Sequence, residues 1–315
     1  MHRRSSLPSG GNPERREPAA AHIFANPSHS QYREPMFRRP RPPKPLRRRV
    51  SFDEIRDASP EALAAAFAAP PEEAAPWVEA AAKYGIAPAM VFWGQILLDG
   101  LGGVAQDRAA AAAWFRVAAE AKQPEGMNML GRCLENGWGV AADQTAAAAW
   151  FRQAAEAGLD WGQYNLGNMH FRGRGVPEDR AEALRWYRAA AAQGHAKSIN
   201  MVARFLEEGW EGPADPREAA RLYAISAERG DFRGQFNLAA LLTAEGRIEA
   251  AARWFREAAR GAHAAFRNSM AERLAERPEP ELRAIAAEIR ESATLPEPLP
   301  PKAQGLWKPS PGAGP

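Results

Sequence analysis

Side chains able to do covalent or acid–base chemistry are few in this sequence. It has one cysteine, Cys133, and six histidines, of which only His170, His195 and His263 lie outside its Arg- and Pro-rich start. A thiolate nucleophile needs a base or a cation beside it, a general base needs a proton within reach, and a zinc site needs ligands at fixed spacing. No such pattern surrounds these residues. There is no His-Glu-x-x-His, no Gly-x-Ser-x-Gly, no Walker loop and no dinucleotide fingerprint, and Gly100, Gly102 and Gly103 follow no strand-like run. The expectation is a protein with no catalytic residue, no metal site and no cofactor.

The lone cysteine also excludes an internal disulfide framework and suits a reducing compartment. No apolar run reaches the ~18 residues of a membrane span, and residues 1–50 lack the apolar core of a secretion signal. These features predict a cytoplasmic location with no membrane span. Charge is unevenly placed. Residues 1–50 hold eleven Arg and Lys44 against Glu14, Glu17 and Glu34, +9 within a chain total of +3, so the remainder carries −6. The run from Arg38 to Arg49 is too rich in proline for a helix and too charged for a core, which predicts a disordered tail, and residues 292–315 form a second Pro-rich tail. Either Met1 or Met36 could start the chain.

What remains is recognition chemistry, and a repeat positions it. Trp114-Phe115-Arg116, Trp150-Phe151-Arg152 and Trp186-Tyr187-Arg188 recur every 36 residues, and Leu222-Tyr223 continues the series. Asp107, Asp143, Asp179 and Asp215 keep the same period, as do Val104, Val140 and Val176. Trp254-Phe255-Arg256 follows after 32 because its unit has a shorter loop, and Trp77 with Gly85 reads as a degenerate earlier copy.

Each unit reads as two helices. In the third, Gln163 to Phe171 places apolar residues three and four apart, and Gly173 to Glu178 then breaks the helix. Asp179 should cap the second helix, with Glu182 completing a capping box, a pairing repeated at Asp215 and Glu218. Gly158, Gly194 and Gly230 suit left-handed helix ends. Gly94, Gly131 and Gly167 lie mid-helix, where glycine costs roughly 0.5–1 kcal/mol against alanine. Close approach of Ala118, Ala154 and Ala190 on the second helix is the simplest compensation, with Ala203 and Ala239 replacing the glycine in later units.

The pattern Gly162-x-x-x-Leu166-Gly167, Gly173-x-Gly175-Val176-x-x-Asp179, Ala183-x-x-Trp186-Tyr187-x-x-Ala190-Ala191-x-x-Gly194 resembles the Sel-one-like repeats (SLR), relatives of the tetratricopeptide repeats. The resemblance covers residues 87–261 and implies an all-α, α/α superhelical solenoid that acts as an adaptor for protein complexes. Members that staple each repeat with paired cysteines differ from this chain. The implied organisation is a tail (1–50), N-terminal capping helices with a half repeat (51–86), five repeats (87–122, 123–158, 159–194, 195–230, 231–261), C-terminal capping helices (262–291) and the second tail.

Aligned units turn single residues into columns. Cys133 shares a column with Ile96, Met169, Phe205 and Leu241, and His170 shares one with Leu97, Leu134, Leu206 and Leu242, so both read as packing residues; His195 and His263 read as turn residues. The packing columns leave a polar stripe free on the first helices. It comprises Gln95 and Asp99; Glu125, Arg132 and Asn136; Trp161, Asn165, Asn168 and Arg172; Lys197, Arg204 and Glu208; and Arg233 and Asn237. In stacked helix pairs the first helices line the concave face, where Asn and Arg can bond a peptide backbone and acidic groups. Trp138 and Trp210 stand in loops where sister units have Leu101 and Arg174, and serve either as interface anchors or as packing on the next loop.

The expected function is non-enzymatic scaffolding of a protein or peptide in that groove. The alternative is a peptide- or glycan-acting hydrolase or regulatory subunit using the same groove. A third reading, nucleic-acid association through the basic tail, is weakened because Phe24, Tyr32 and Phe37 are its only aromatics.

Overall fold

A computed structural model describes residues 49–293. The tails expected at either end, the choice of start and the tail's proposed partners lie outside these residues, apart from Arg49, Val50 and the end of the last helix. Among the described residues every regular element is a helix. Three precede the repeats: α1 (Phe52–Asp57), α2 (Pro60–Ala68) and α3 (Pro71–Tyr84). Five helix pairs follow: α4 (Ala87–Asp99) with α5 (Arg108–Glu120), α6 (Pro124–Asn136) with α7 (Gln144–Glu156), α8 (Asp160–Arg172) with α9 (Arg180–Ala192), α10 (Ala196–Glu208) with α11 (Pro216–Glu228), and α12 (Phe232–Ala244) with α13 (Ile248–Gly261). A last pair, α14 (Ala264–Ala275) and α15 (Pro280–Ala293), closes the stack. From α2 to α13 each helix packs on the next in sequence, the arrangement of an α/α solenoid, while α1 packs on α3 and α15 packs on both α13 and α14.

The repeated aspartates start the second helices. Asp107, Asp143, Asp179 and Asp215 accept hydrogen bonds from the amides of Ala110, Ala146, Glu182 and Glu218 at 2.9–3.0 Å. The capping boxes expected at Glu182 and Glu218 do not form. Each glutamate instead turns to an arginine one turn on: Arg185 donates two bonds to Glu182, which also accepts from Trp186 Nε1 at 2.8 Å, and Arg221 donates two to Glu218. A bidentate arginine offers a carboxylate more than one backbone amide does. Among the described residues the reciprocal box occurs once, between Ser51, the N-cap of α1, and Glu54.

The mid-helix glycines also answer to a different partner than expected. A Cβ at Gly94, Gly131 or Gly167 would lie 2.6, 2.7 or 2.8 Å from the ring of Phe115, Phe151 or Tyr187. The aromatic of the second helix therefore lies against the bare backbone of its own first helix. The alanine column works between units: Cβ atoms at Gly126 and Gly162 would fall 2.6 and 2.7 Å from those of Ala118 and Ala154. Loops join units too. Gly139 and Gly175, both left-handed, press on the backbones of Arg108 and Gln144 at the second-helix start of the preceding unit, where any Cβ would overlap a carbonyl.

Successive first helices approach one another at α4–α6, α6–α8 and α10–α12. Asn165 Nδ2 donates to Asn128 Oδ1 at 2.8 Å, and Asn237 Nδ2 to Asn200 Oδ1 at 2.9 Å, each across to the preceding first helix. This crowding puts the first helices on the inner side of the curve.

Candidate protein-binding groove

The residues of the expected stripe fall into three groups, with Arg132 belonging to both the second and the third. Some are spent on the scaffold. Asn165 and Asn237 tie neighbouring first helices, and Asn168 Oδ1 accepts from the fully buried Tyr187 hydroxyl at 2.8 Å. Gln95 donates to Asp99, and Asn136 caps back onto the Arg132 carbonyl. These polar side chains read as free in sequence because their partners are a helix or a whole unit away.

A second group is bound to the loop tryptophans. Trp210 packs on Phe171 and Phe205 at 5.3 and 5.0 Å and lies under the guanidinium groups of Arg180 and Arg204 at 5.3 and 5.2 Å. Burial pushes the Arg204 pKa down, against the pull of Tyr223, Glu208 and Glu207. Trp138 is half-buried beneath Arg132, 5.0 Å away. Both tryptophans thus pack on their neighbours, and Arg204 is part of that packing.

The third group keeps its recognition chemistry. Trp161 is 43% exposed at the start of α8. Lys197 Nζ sits 4.7 Å from its ring centroid, and the His195 ring meets it edge-on at 4.6 Å. Lys197 is pushed down in pKa by burial and by the positive charges of Arg233 and Arg132, with Asp231 opposing. Arg132, Arg172, Lys197 and Arg233 form no ion pair among the described residues, while Arg185, Arg221 and Arg260 on second helices each pair with a glutamate. Glu125 and Glu208 are half-buried at the first and last turns of their helices.

His195 is more than a turn residue. It is buried and caps α10, with Nδ1 against the Ser198 amide and hydroxyl at 3.3 and 2.9 Å. Burial lowers its pKa to about 4, with Asp160 opposing and Lys197 assisting. It is therefore neutral at physiological pH. His263 caps α14 in the same way. His170 is buried beside Arg152, and Cys133 is fully buried with its thiol raised by burial to about 11. That value leaves almost no thiolate at neutral pH.

A family model for the Sel1 repeat matches residues 87–122, 124–159, 162–195, 196–231 and 233–263. The chain belongs to the Sel1 repeat family. Sel1 repeat proteins are in general protein-interaction scaffolds. The fold is similar to that of a Sel1 repeat protein from Oxalobacter formigenes, at 27% identity over 65% of this chain and 88% of that one, with a TM-score of 0.56. It is also similar to c5321, a protective antigen of uropathogenic Escherichia coli strains displaying an SLR fold, at 26% identity over 77% of this chain and 55% of that one, again with a TM-score of 0.56. A comparison with curated proteins returns no match. No helix among the described residues is long and apolar enough to cross a membrane.

Proposed function

We propose that this Sel1 repeat protein is a non-enzymatic scaffold that holds a partner segment along the inner face formed by α4, α6, α8, α10 and α12. The observation that carries the reading is Trp161, a large aromatic left 43% exposed on that face beside cations that form no ion pair among the described residues. Exposed tryptophans flanked by cations are common anchors of protein interfaces. Of the titratable groups beside it, Asp160 accepts from the Trp161 amide at 2.6 Å. His195 beside it is buried, neutral and engaged in capping.

The test is a steric one. Because Cys133 is buried and its thiol is held protonated, a single cysteine introduced at the exposed, groove-side Asn136 labels selectively with a polyethylene-glycol maleimide. Labelled Asn136→Cys should lose the proteins that the unlabelled variant retains on affinity capture, identified by mass spectrometry. The same label on Arg185→Cys, on a second helix, should leave them bound. Equal retention by both labelled proteins removes the groove from consideration.

A further inference from the structure

We infer that the partner segment is acidic and extended, with its carboxylates meeting Arg132, Lys197 and Arg233 and an apolar side chain resting on Trp161. This rests on the scaffold reading above and specifies its ligand. Charge complementarity is the first support. Four cations of the inner face have no ion-pair partner among the described residues, although the body of the chain carries excess acid elsewhere. Lys197 on α10 lies 4.7 Å over the Trp161 ring of α8, and the charges acting on it are those of Arg233 on α12, the buried Asp231 and, last, Arg132 on α6. Asp231 bonds the Gly234 amide and the Ser226 hydroxyl and makes no ion pair with these cations among the described residues, so a ligand carboxylate would supply charge-assisted hydrogen bonds that they lack.

Trp161 supplies the second support. Lys197 lies over its ring and His195 against its edge, which fixes the indole and leaves 43% of the residue open to a ligand. A pre-oriented aromatic beside cations suits an apolar residue that follows or precedes an acid. Spacing argues for an extended ligand. Packed helix axes lie about 8–10 Å apart and an extended chain advances about 3.3 Å per residue, so one carboxylate every three residues or so would meet successive helices.

Single-stranded nucleic acid would also bring negative charge and flat rings. The inner face favours the peptide, because among the described residues Trp161 is the single large aromatic left exposed there, where base stacking needs several.

The experiment is fluorescence anisotropy of the full chain with three labelled probes: a peptide with Asp or Glu at every third position and Phe or Leu between, its twin with Lys in place of each acid, and oligothymidylate. The acidic peptide should bind, and binding should weaken as salt rises. Trp161→Ala, Lys197→Gln and Arg233→Gln should each weaken it about tenfold, the equivalent of about 1.4 kcal/mol, with circular dichroism melting near that of the parent. Arg185→Gln should change nothing. Arg233→Gln is the deciding variant if Lys197→Gln misfolds, since Arg233 is half-buried, stacks on Phe232 and forms no ion pair among the described residues. Equal binding of the lysine twin, preference for oligothymidylate, or unaltered affinity in the groove variants would each overturn the inference. If the labelled Asn136→Cys protein loses its partners yet the acidic peptide does not bind, the groove stands and the acidic partner falls.

Discussion

Gly167 shows how one missing methyl group organises a unit. Its Cα lies against the ring of Tyr187, which is fully buried and tethered through its hydroxyl to Asn168, so the ring cannot retreat. Gly167→Ala should gain up to about 1 kcal/mol of helix propensity but lose roughly 1–3 kcal/mol to overpacking. The net expectation is a lower urea midpoint; a higher one would mean that the ring yields. His195 makes a second prediction at this scale. Its folded pKa of about 4 lies below the ordinary value of 6.5, so the unfolded chain binds the proton more readily. At pH above 6.5 the residue costs nothing. Stability should fall as pH drops from about 6.5 towards 4, by up to a few kcal/mol. Asp160 and Lys197 face the ring, and buried Asp231, whose raised pKa acts with the opposite sign, opposes the loss at the acid end. His195→Asn keeps a capping side chain and should flatten the pH dependence of the melting temperature in that window.

At the scale of the element, α5, α7, α9 and α11 each begin on one aspartate, and α7, α9 and α11 end near a left-handed glycine. Asp179 accepts from the Glu182 amide at 2.9 Å, and Asp179→Ala should cost about 0.5–2 kcal/mol. Glu182→Ala tests a different bond, since Glu182 holds Arg185 and Trp186 Nε1 rather than the cap. Its loss should leave the helix start intact and loosen Trp186, read as a change in tryptophan emission at a nearly constant denaturation midpoint. A fall in midpoint equal to that of Asp179→Ala would restore the capping box.

Across the stack, unit joins with unit through repeated columns, and a break in a column is visible as a defect. Trp114, Trp150, Trp186 and Trp254 share a column whose fourth-unit member is Leu222. Beside Leu222 lies a solvent-open pocket of about 270 Å³, lined also by Ala191, Ile199, Ile225 and Arg229, between α9, α10 and α11. Leu222→Trp should fill it and raise stability by roughly 0.5–2 kcal/mol. An unchanged or lower melting temperature would show that the indole cannot enter. Because neighbouring units share their interfaces, the gain should appear in one cooperative transition.

The sequence by itself determined the helix pairs, their period and the family. Those features are local or strictly repeated: a capping aspartate acts three residues away, and a column repeated every 36 residues identifies a core position without any coordinates. The partner of a given side chain within that frame was decided only by the tertiary structure. Gly167 read as making room for Ala190, and the crossing of α8 with α9 placed the Tyr187 ring there instead. Asn165, Asn237 and Arg204 read as open groove residues alongside Trp161. Curvature brings the first helices within hydrogen-bonding distance, so that Asn128 and Asn200 take up the two asparagines and Trp210 takes up the arginine. Trp161 meets Lys197 and His195 from the next unit and still keeps an open face, because side-chain burial depends on the rotation between units, a quantity that no single repeat encodes.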